Sequence, residues 1–334
     1  MATAVPYHHH PSGGFRNPFG IPKRESSNGE MSKFIKEELL SRRAVRVPES
    51  HVMPKAEAIQ AMATAANPSV TWLGHASFII RIGGKKILTD PFIGRNAGPF
   101  GLGPRRFVAS PLTVDEIPKV DVIAVSHDHY DHLDAHAIKH YRFKETTQVV
   151  VPLGLGRFFT RRGYPNVVEH DWWDSWSDDG LTITTLPAVH FSGRGLFDRN
   201  KTLWASFAFR SATESIWFSG DTAIGEVFRE IGEREGPFDL ALVAIGAYEP
   251  RSIMRSIHAS PEEAVQIAAD IGARQAIGMH WGTIRLTSED AFEPPLRFKR
   301  AARLQGYGED NAKTLRIGET IELPRKHRAE ASAA

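Results

Sequence analysis

The sequence Ser126-His127-Asp128-His129-Tyr130-Asp131-His132-Leu133-Asp134 places three histidines and two aspartates within six residues, from His127 to His132. It directly follows a largely apolar run, Val120 to Val125, which predicts a buried strand. A strand that ends here fixes the backbone, and the turn after it lets several side chains point into one volume. These side chains are His127, His129, Asp131 and His132. Because imidazole and carboxylate groups bind zinc and similar divalent ions, the stretch predicts a metal site at a sheet edge.

Composition narrows the class of protein. The 334 residues are 41% hydrophobic and 24% charged, as in ordinary globular proteins. A net charge of +2 indicates neither a nucleic-acid partner nor a polyanionic one. The chain has no cysteine, which excludes disulfides and thiolate ligands and leaves histidine and carboxylate to hold any metal.

The sequence also bears on location. No apolar run approaches the roughly 20 residues of a membrane span, and the N-terminus lacks the apolar core of a signal peptide. We therefore expect a cytoplasmic protein, and peripheral contact with the inner membrane face stays open. The sequence does not indicate an oligomeric state.

Three regions are expected along the chain. Residues 1–66 are predicted to form an N-terminal arm and helices packed on the core, and residues 67–324 to form one large domain. Residues 325–334 are predicted to be a basic, flexible tail. The triplet His8-His9-His10 in the arm could bind metal, belong to an expression tag, or be an exposed polar tract.

The large domain shows alternating strand and helix signals. Strand-like residues 70–73 and 77–82 are followed by a turn at Gly83-Gly84, which predicts a hairpin with residues 86–89. Ser260-Pro261-Glu262-Glu263 predicts the start of a helix with a capping box. Strands in hairpins interleaved with helices from 69 to 322 predict a layered α/β core with helices on its outer faces.

Three further ligand-type residues, His190, Asp221 and His280, each follow a predicted strand, as His127 does. Because strand ends converge at one sheet edge, separate turns can supply a single site. Seven candidates are too many for one tetrahedral zinc ion and suit two ions, with Asp221 as the shared ligand. The natural assignment gives His127, His129 and His190 to one ion and Asp131, His132 and His280 to the other. Two ions roughly 3.5–4 Å apart are suited to hydrolysis.

The His-x-His-x-Asp-His turn with later His, Asp and His resembles the metallo-β-lactamase superfamily, which implies an α/β fold, a four-layer αββα sandwich with a dinuclear zinc edge. Further strings resemble the branch that hydrolyses N-acylphosphatidylethanolamine, a phospholipase D reaction. These strings are Phe15-Arg16-Asn17-Pro18, Trp72 to Ala76, Leu88 to Pro91, Ser219 to Thr222, Ile245-Gly246-Ala247-Tyr248-Glu249-Pro250 and His280-Trp281-Gly282-Thr283.

This resemblance implies a phosphodiesterase with two Zn²⁺ ions, in which a metal-bridging hydroxide attacks phosphorus and releases an N-acylethanolamine and a phosphatidic acid. By the same resemblance we place Asp131, Asp221 and His258 in catalytic roles, and His75, Tyr248 and His258 at the substrate. Asp90 would orient a ligand imidazole. His258 could equally be a solvated loop residue, and His75 and Asp90 could be structural turn residues.

Other functions of the superfamily fit less well. The absence of cysteine excludes β-lactamases with a cysteine zinc ligand. Di-iron redox relatives usually carry a carboxylate where His129 stands, and neither charge nor length indicates the nucleic-acid module of RNA-processing relatives. Zinc-dependent lactonases and other acyl hydrolases keep the same seven ligands and are the main alternative. A non-catalytic binding module is disfavoured by the intact ligand set.

Two loops rich in aromatic residues suggest an approach for lipid. Residues 94–112 contain Phe100 and Phe107 together with arginines, and residues 172–176 contain three tryptophans. Aromatic and basic residues together suit anionic interfaces. We expect a phospholipid or a small phosphodiester as substrate, and these loops as its apolar approach. The tryptophans of residues 172–176 could equally be surface residues packed over an edge of the core.

Overall fold

A computed structural model describes residues 6–40 and 44–324, which form two seven-stranded sheets with helices. The first sheet has the order β14-β1-β2-β3-β4-β5-β6, and the second has the order β13-β12-β11-β10-β9-β8-β7. The strands of the first sheet are β1 Ser69–Gly74, β2 Ser77–Ile82, β3 Lys85–Thr89, β4 Val122–Ala124, β5 Gln148–Pro152, β6 Val167–His170 and β14 Thr320–Glu322. Those of the second are β7 Ser175–Asp178, β8 Leu181–Leu186, β9 Ser206–Arg210, β10 Ser215–Phe218, β11 Phe238–Ala244, β12 Ala273–Met279 and β13 Ala312–Lys313.

The helices lie outside this pair of sheets. They are α1 Asn28–Leu40, α2 Lys55–Thr64, α3 Ala135–His140, α4 Gly156–Thr160, α5 Val227–Glu235, α6 Arg251–Met254, α7 Pro261–Asp270 and α8 Pro294–Leu304. Side chains of α2, α3 and α4 pack on the first sheet, whereas those of α5, α7 and α8 pack on the second. The predicted α/β sandwich is thereby confirmed.

The main core lies between the two sheets, and strand periodicity explains it. In β2, Phe78 and Ile80 contribute to the cluster shared with the second sheet, whereas Ile79 between them faces the cluster with α2–α4. Phe207 and Trp217 fill the same inter-sheet space from β9 and β10. Burial of each such side chain stabilises the fold by about 1.5–3 kcal/mol.

Strand direction brings the predicted metal-binding turns to one edge. β3 to β6 pair in parallel in the first sheet, as β10 to β13 do in the second. β8 runs in the same direction as β10 because each is antiparallel to β9. The carboxyl ends of β4, β8, β10 and β12 therefore lead into the segments that carry the seven candidate ligands.

Local sequence signals explain several elements. Ser260 and Glu263 form the predicted capping box at the start of α7, with the Ser260 side chain accepting from the Glu263 amide. The hairpin of β2 and β3 turns at Gly83 and Gly84, both with positive φ. The helices predicted within residues 1–66 correspond to α1 and α2, and residues 41–43 after α1 lie outside the described residues.

The prediction for the tryptophan loop needs correction. Trp172 is buried against Trp204, and Trp176 belongs to β7 and packs on the main core together with Trp173. Aromatic rings beside the core are buried against it, because removing apolar surface from water is favourable. The loop therefore packs against the core and does not form an exposed apolar approach.

The predicted tail at 325–334 lies outside the described residues, as do residues 1–5. Within the described part of the chain, no helix is both long enough and apolar enough to cross a bilayer.

Candidate metal centre

A first group of donor atoms combines the turn after β4 with the segments after β8 and β10. His127 Nε2 lies 2.8 Å from His129 Nδ1, and His190 Nε2 lies 3.2 Å from the same Nδ1. Asp221 Oδ2 lies 3.9 Å from His127 Nε2 and 3.7 Å from His190 Nε2. Donor atoms of these four residues all lie within 4.8 Å of one another.

A second group adjoins the first. Asp131 Oδ2 lies 2.8 Å from His75 Nε2, 3.5 Å from His132 Nε2 and 3.6 Å from His280 Nε2. Donor atoms of these four residues also lie within 4.8 Å of one another. The two groups contain the residues that the sequence assigned to each ion, together with His75, and the binding of two ions stays a prediction.

Asp221 joins the two groups. Its Oδ2 lies 3.0 Å from His132 Nε2, and its Oδ1 lies 3.1 Å from His280 Nε2. The same Oδ2 faces His127 and His190 of the first group. This is the position expected for a carboxylate shared by two ions.

Two properties of the donor atoms suit a divalent metal ion. They are imidazole nitrogens and carboxylate oxygens, and several of them are buried without a hydrogen-bond partner in the described part of the chain. Among the described residues, His132 Nε2, His280 Nε2 and Asp221 Oδ1 are buried without a hydrogen-bond partner. Buried polar atoms normally have one, because leaving them unpaired costs free energy. Imidazole nitrogens and carboxylate oxygens that converge in this way would be satisfied by a divalent ion.

Most of the imidazoles are held neutral, as metal ligands must be. Burial is the main cause, and it lowers the pKa of His127 well below its usual range. Burial likewise lowers the pKa of His75 and His129 to about 3 and that of His190 to about 4.

The residues around Asp221 behave differently. Burial, the largest influence, raises the pKa of Asp221, but the nearby imidazoles of His132, His280 and His258 outweigh it and hold that pKa well below the usual range. Burial lowers the pKa of His132 and His280, but Asp221 and Asp131 reverse this and raise the pKa of His280 to about 9. An ion that binds here must displace protons from these two rings.

Polar contacts behind the donors fix their orientation. Asp90 Oδ2 lies 2.6 Å from His132 Nδ1, the contact predicted from sequence. Asp90 also accepts from the Ser126 amide at 2.7 Å and from its hydroxyl at 2.6 Å. His190 Nδ1 lies 2.8 Å from the Ile257 carbonyl oxygen, to which it donates. Such contacts select the tautomer that turns the other ring nitrogen toward a metal.

Backbone strain is concentrated at this site. His75, Asp90 and His280 have φ values of 56°, 32° and 65°, in the region that favours glycine. Gly220, with φ 55°, lies against the stretch from Ser126 to Asp134, which we call the metal turn. The two are so close that a Cβ on residue 220 would stand 2.5 Å from Ser126 Cβ. Strain of this kind persists where surrounding contacts determine the conformation, as they do at functional sites.

Two residues predicted to contact substrate, Tyr248 and His75, are buried in this structure. Tyr248 is fully buried, and its hydroxyl donates to Glu293 Oε2 at 2.8 Å. His75 is 1% exposed and contacts Asp131 within the second donor group. Neither side chain offers exposed surface in this structure, because strand β1 and its surroundings enclose His75 and α8 covers Tyr248.

His258, the third predicted substrate residue, lies beside the donor groups. Its ring centroid is 5.1 Å from that of His190 and 5.3 Å from that of His280. Its Nε2 lies 4.0 Å from Asp221 Oδ2, and its Nδ1 has no hydrogen-bond partner among the described residues. The side chain is 10% exposed, so it remains within reach of a small molecule.

Sequence reasoning missed two supporting residues. Asn17 Oδ1 accepts from the His190 amide at 2.9 Å, and Asn17 Nδ2 donates to the His190 carbonyl oxygen at 2.7 Å. Asp128 accepts from the Gly193 amide at 2.7 Å and from the Thr202 hydroxyl at 3.1 Å. Asn17 lies in the string Phe15-Arg16-Asn17-Pro18, which resembles the branch, but spacing along the chain does not indicate its role because its partner is 173 residues away.

Comparisons with known proteins agree with this fold. Residues 85–281 match the β-lactamase superfamily domain, and the chain belongs to this superfamily. N-acyl-phosphatidylethanolamine-hydrolyzing phospholipase D 1 of Caenorhabditis elegans is 41% identical over 242 residues, which cover 69% of this chain and 68% of that protein. An uncharacterised Mycobacterium tuberculosis protein is 38% identical over 279 residues, 82% of this chain and 74% of that protein.

Solved structures show the same fold at lower identity. An isothiocyanate hydrolase from Delia radicum gut bacteria has a TM-score of 0.60 and 19% identity, covering 76% of this chain and 99% of that one. Other relatives are described as metal-dependent hydrolases. The protein is thus a metal-dependent hydrolase, in the branch of the superfamily that is similar to the N-acyl-phosphatidylethanolamine-hydrolyzing phospholipases D.

Proposed function

We propose that the protein is a zinc-dependent phosphodiesterase of phospholipase D type, which hydrolyses N-acylphosphatidylethanolamine-like phospholipids to N-acylethanolamine and phosphatidic acid. The observation that carries the proposal is the pair of donor groups joined by Asp221, in a chain 41% identical to a phospholipase D of this kind. When two divalent ions are bound, they activate water and neutralise the charge that develops on phosphorus.

The chain's own residues then have distinct tasks. His127, His129 and His190 would hold one ion, and Asp131, His132 and His280 the other, with Asp221 between them. The contact between His75 and Asp131 fixes the orientation of that carboxylate. Six of the seven donor residues are buried and His129 is half-buried, so bulk water has little access to the site.

His258 is the proposed contact for the substrate head group. Its Nε2 lies 4.0 Å from Asp221 Oδ2, and its buried Nδ1 has no hydrogen-bond partner among the described residues. A ring in this position can donate a hydrogen bond to a phosphate oxygen or to the leaving alcohol. His258→Ala should therefore raise KM or lower kcat while leaving zinc content unchanged. A loss of zinc in this variant would instead indicate that His258 is a metal ligand.

A substrate panel tests the proposed activity. Zinc-loaded protein is given N-acylphosphatidylethanolamine, bis(p-nitrophenyl) phosphate and a set of lactones, with Asp221→Asn as the control for contaminating hydrolases. We expect release of N-acylethanolamine from the first substrate and slower cleavage of the second. Cleavage of lactones alone would replace this proposal with the alternative of an acyl hydrolase.

We also propose a peripheral lipid contact, at a different loop from the tryptophan loop. The 193–199 loop carries Leu196 and Phe197, which are 91% and 93% exposed. Its base is fixed to the metal turn, since Arg194 donates to the Asp128 carbonyl oxygen at 2.7 Å and Gly193 donates to the Asp128 carboxylate. An exposed apolar tip held beside the site suits insertion into a lipid surface.

The 94–112 loop offers a second apolar tip. Phe100 is fully exposed and Leu102 is 67% exposed, whereas Phe107 packs on the main core and is unsuited to membrane contact. Ala97 in this loop packs in a cluster that includes Tyr130 of the metal turn. Both tips are therefore anchored to the metal turn through Tyr130, over whose ring Arg194 lies at 3.9 Å.

Vesicle co-sedimentation tests this contact. We expect Leu196→Asp with Phe197→Asp to weaken binding to vesicles of phosphatidylcholine and phosphatidylglycerol. The matched control is Leu296→Asp with Leu304→Asp, two leucines of α8 that are 72% and 70% exposed. Equal binding by both double variants would show that the 193–199 loop is not a lipid contact.

A further inference from the structure

We propose that His8, His9 and Asp171 form a second, separate cation site, suited to zinc or another first-row divalent ion, which fixes the N-terminal arm to the segment between β6 and β7. This site shares no residue with the donor groups around Asp221. It does not depend on the proposed phosphodiesterase activity.

The donor atoms converge from two distant parts of the chain. His8 Nε2 lies 2.5 Å from Asp171 Oδ1, and His9 Nε2 lies 2.7 Å from Asp171 Oδ2. Consecutive histidines thus turn the same ring nitrogen toward the two oxygens of one carboxylate. Donor atoms of the three residues lie within 4.8 Å of one another. Two imidazoles and one carboxylate are a donor set that zinc uses, with water in a fourth position.

Surrounding contacts hold these groups in place. His8 is 4% exposed and stacks on the Trp172 ring, with centroids 4.3 Å apart and an interplanar angle of 28°. The Trp172 amide donates to Asp171 Oδ1 at 2.8 Å, and Trp172 Nε1 donates to the Trp204 carbonyl oxygen. The donors are therefore preorganised, which reduces the entropy lost when an ion binds.

Only small movements are needed to admit an ion. Zinc with ligand bonds of about 2.0–2.2 Å holds neighbouring donors about 3.3 Å apart. The distances from Asp171 to His8 and His9 are 2.5 Å and 2.7 Å, so each ring must shift by several tenths of an ångström. His9 can do this readily because its side chain is 29% exposed.

The arm that this site fixes reaches the metal centre. Residues 8–16 form a small hairpin in which His10 and Gly14 are hydrogen-bonded and Arg16 donates to the His8 carbonyl oxygen at 2.9 Å. The next residue is Asn17, which holds both backbone polar groups of His190. An ion at His8, His9 and Asp171 would thus stabilise the contact that positions a metal-centre residue.

Zinc content tests the site directly. Four full-length proteins are prepared without an added polyhistidine sequence: the unaltered chain, His9→Ala, Asp171→Asn and His10→Ala. His10 is the matched control, because it belongs to the same triplet but is exposed and contacts the Ser12 hydroxyl at 2.6 Å. Each protein is stripped with a chelator, dialysed against buffered free zinc over a concentration series, and analysed for bound zinc per chain.

We expect the unaltered chain and His10→Ala to bind one more zinc per chain than His9→Ala and Asp171→Asn. All four proteins keep the residues of the Asp221 groups, and the zinc series is carried to saturation of that centre. A remaining difference of one zinc per chain therefore reports the site at His8, His9 and Asp171. Equal zinc content in all four would overturn the proposed cation site. His8, His9 and Asp171 would then be joined by hydrogen bonds alone.

Hydrogen exchange gives a second readout that does not depend on activity. Added zinc should slow amide exchange in residues 6–17 of the unaltered chain and of His10→Ala, and should have no such effect in His9→Ala. Equal slowing in His9→Ala would contradict a role for this site in fixing the arm.

Discussion

Asp221 is the residue on which the metal centre converges. Its Oδ2 faces His127 at 3.9 Å and His190 at 3.7 Å in the first donor group, and its Oδ1 lies 3.1 Å from His280 in the second. Asp221 therefore lies between the two proposed metal positions. The neighbouring imidazoles keep it ionised despite its burial. An ionised carboxylate is what a shared metal ligand requires, and an ion that binds beside it replaces the protons on His132 and His280.

Asp221→Asn should abolish hydrolysis with the fold retained, because asparagine keeps the shape and loses the charge. We expect kcat/KM to fall about 1000-fold or more, equivalent to about 4 kcal/mol of transition-state stabilisation. Steady-state kinetics, zinc analysis and circular dichroism measure the effect. Asp179→Asn, an exposed aspartate in the turn after β7, is the control. Full activity in a metal-depleted Asp221→Asn protein would refute a dinuclear mechanism.

His51 provides a pH-dependent contribution to stability. It is 5% exposed, donates from Nε2 to the Gly282 carbonyl oxygen at 2.8 Å, and packs against Trp281. Burial, the main cause, lowers its pKa below 6.5. The unfolded chain therefore binds a proton more readily than the folded one, and the stability due to neutral His51 is lost as pH falls below about 6.5.

We expect this loss to disappear in His51→Gln. The difference in free energy of unfolding between the unaltered chain and the variant should shrink as pH falls from about 7.5 to 5.5, by at most about 1.4 kcal/mol per pH unit. Urea unfolding in chelator at both pH values measures it. A difference that is constant with pH would contradict a depressed pKa for His51.

At the scale of elements, four segments after β4, β8, β10 and β12 supply the metal centre, and the N-terminal hairpin supports one of them. Asn17 makes this support specific. It also accepts from Trp204 Nε1 at 3.0 Å, which ties the arm to the buried aromatic cluster beside the site.

Asn17→Ala should weaken metal binding or activity by about 10- to 100-fold, as expected when a group that orients a ligand is removed. Zinc affinity and kcat are the readouts, since a merely structural loss would change stability and leave zinc affinity of the folded protein intact. Asn28→Ala, an exposed asparagine of the same N-terminal region, is the control. Unchanged zinc affinity in Asn17→Ala would show that His190 is positioned without the arm.

At the scale of the whole molecule, the two sheets unite donors that are far apart in sequence. Their shared core holds the edges of both sheets together, so the metal turn of the first meets Asp221 and His280 of the second. The donor groups lie in a largely buried site, where charges interact strongly. Metal binding at this centre is therefore coupled to protonation of the donors and to folding.

Zinc affinity should therefore rise steeply with pH. His132 and His280 hold protons near neutral pH in the metal-free protein, with the pKa of His280 raised to about 9. Displacing one or two protons makes the apparent affinity rise by about 10- to 100-fold per pH unit below that pKa. Competition titrations with a chromophoric chelator at several pH values measure the slope. An affinity that is flat with pH would contradict protonated His132 and His280.

The sequence by itself determined the fold class, the family and the seven candidate donors. Local patterns were sufficient for these predictions. The cluster of ligand-type residues after an apolar strand and the capping box of α7 both depend on residues close in sequence. Only the tertiary structure decided the place of His75 in the second donor group, the enclosure of Tyr248 and the support from Asn17. These depend on contacts between residues up to 173 positions apart, which chain folding brings together and residue spacing does not encode.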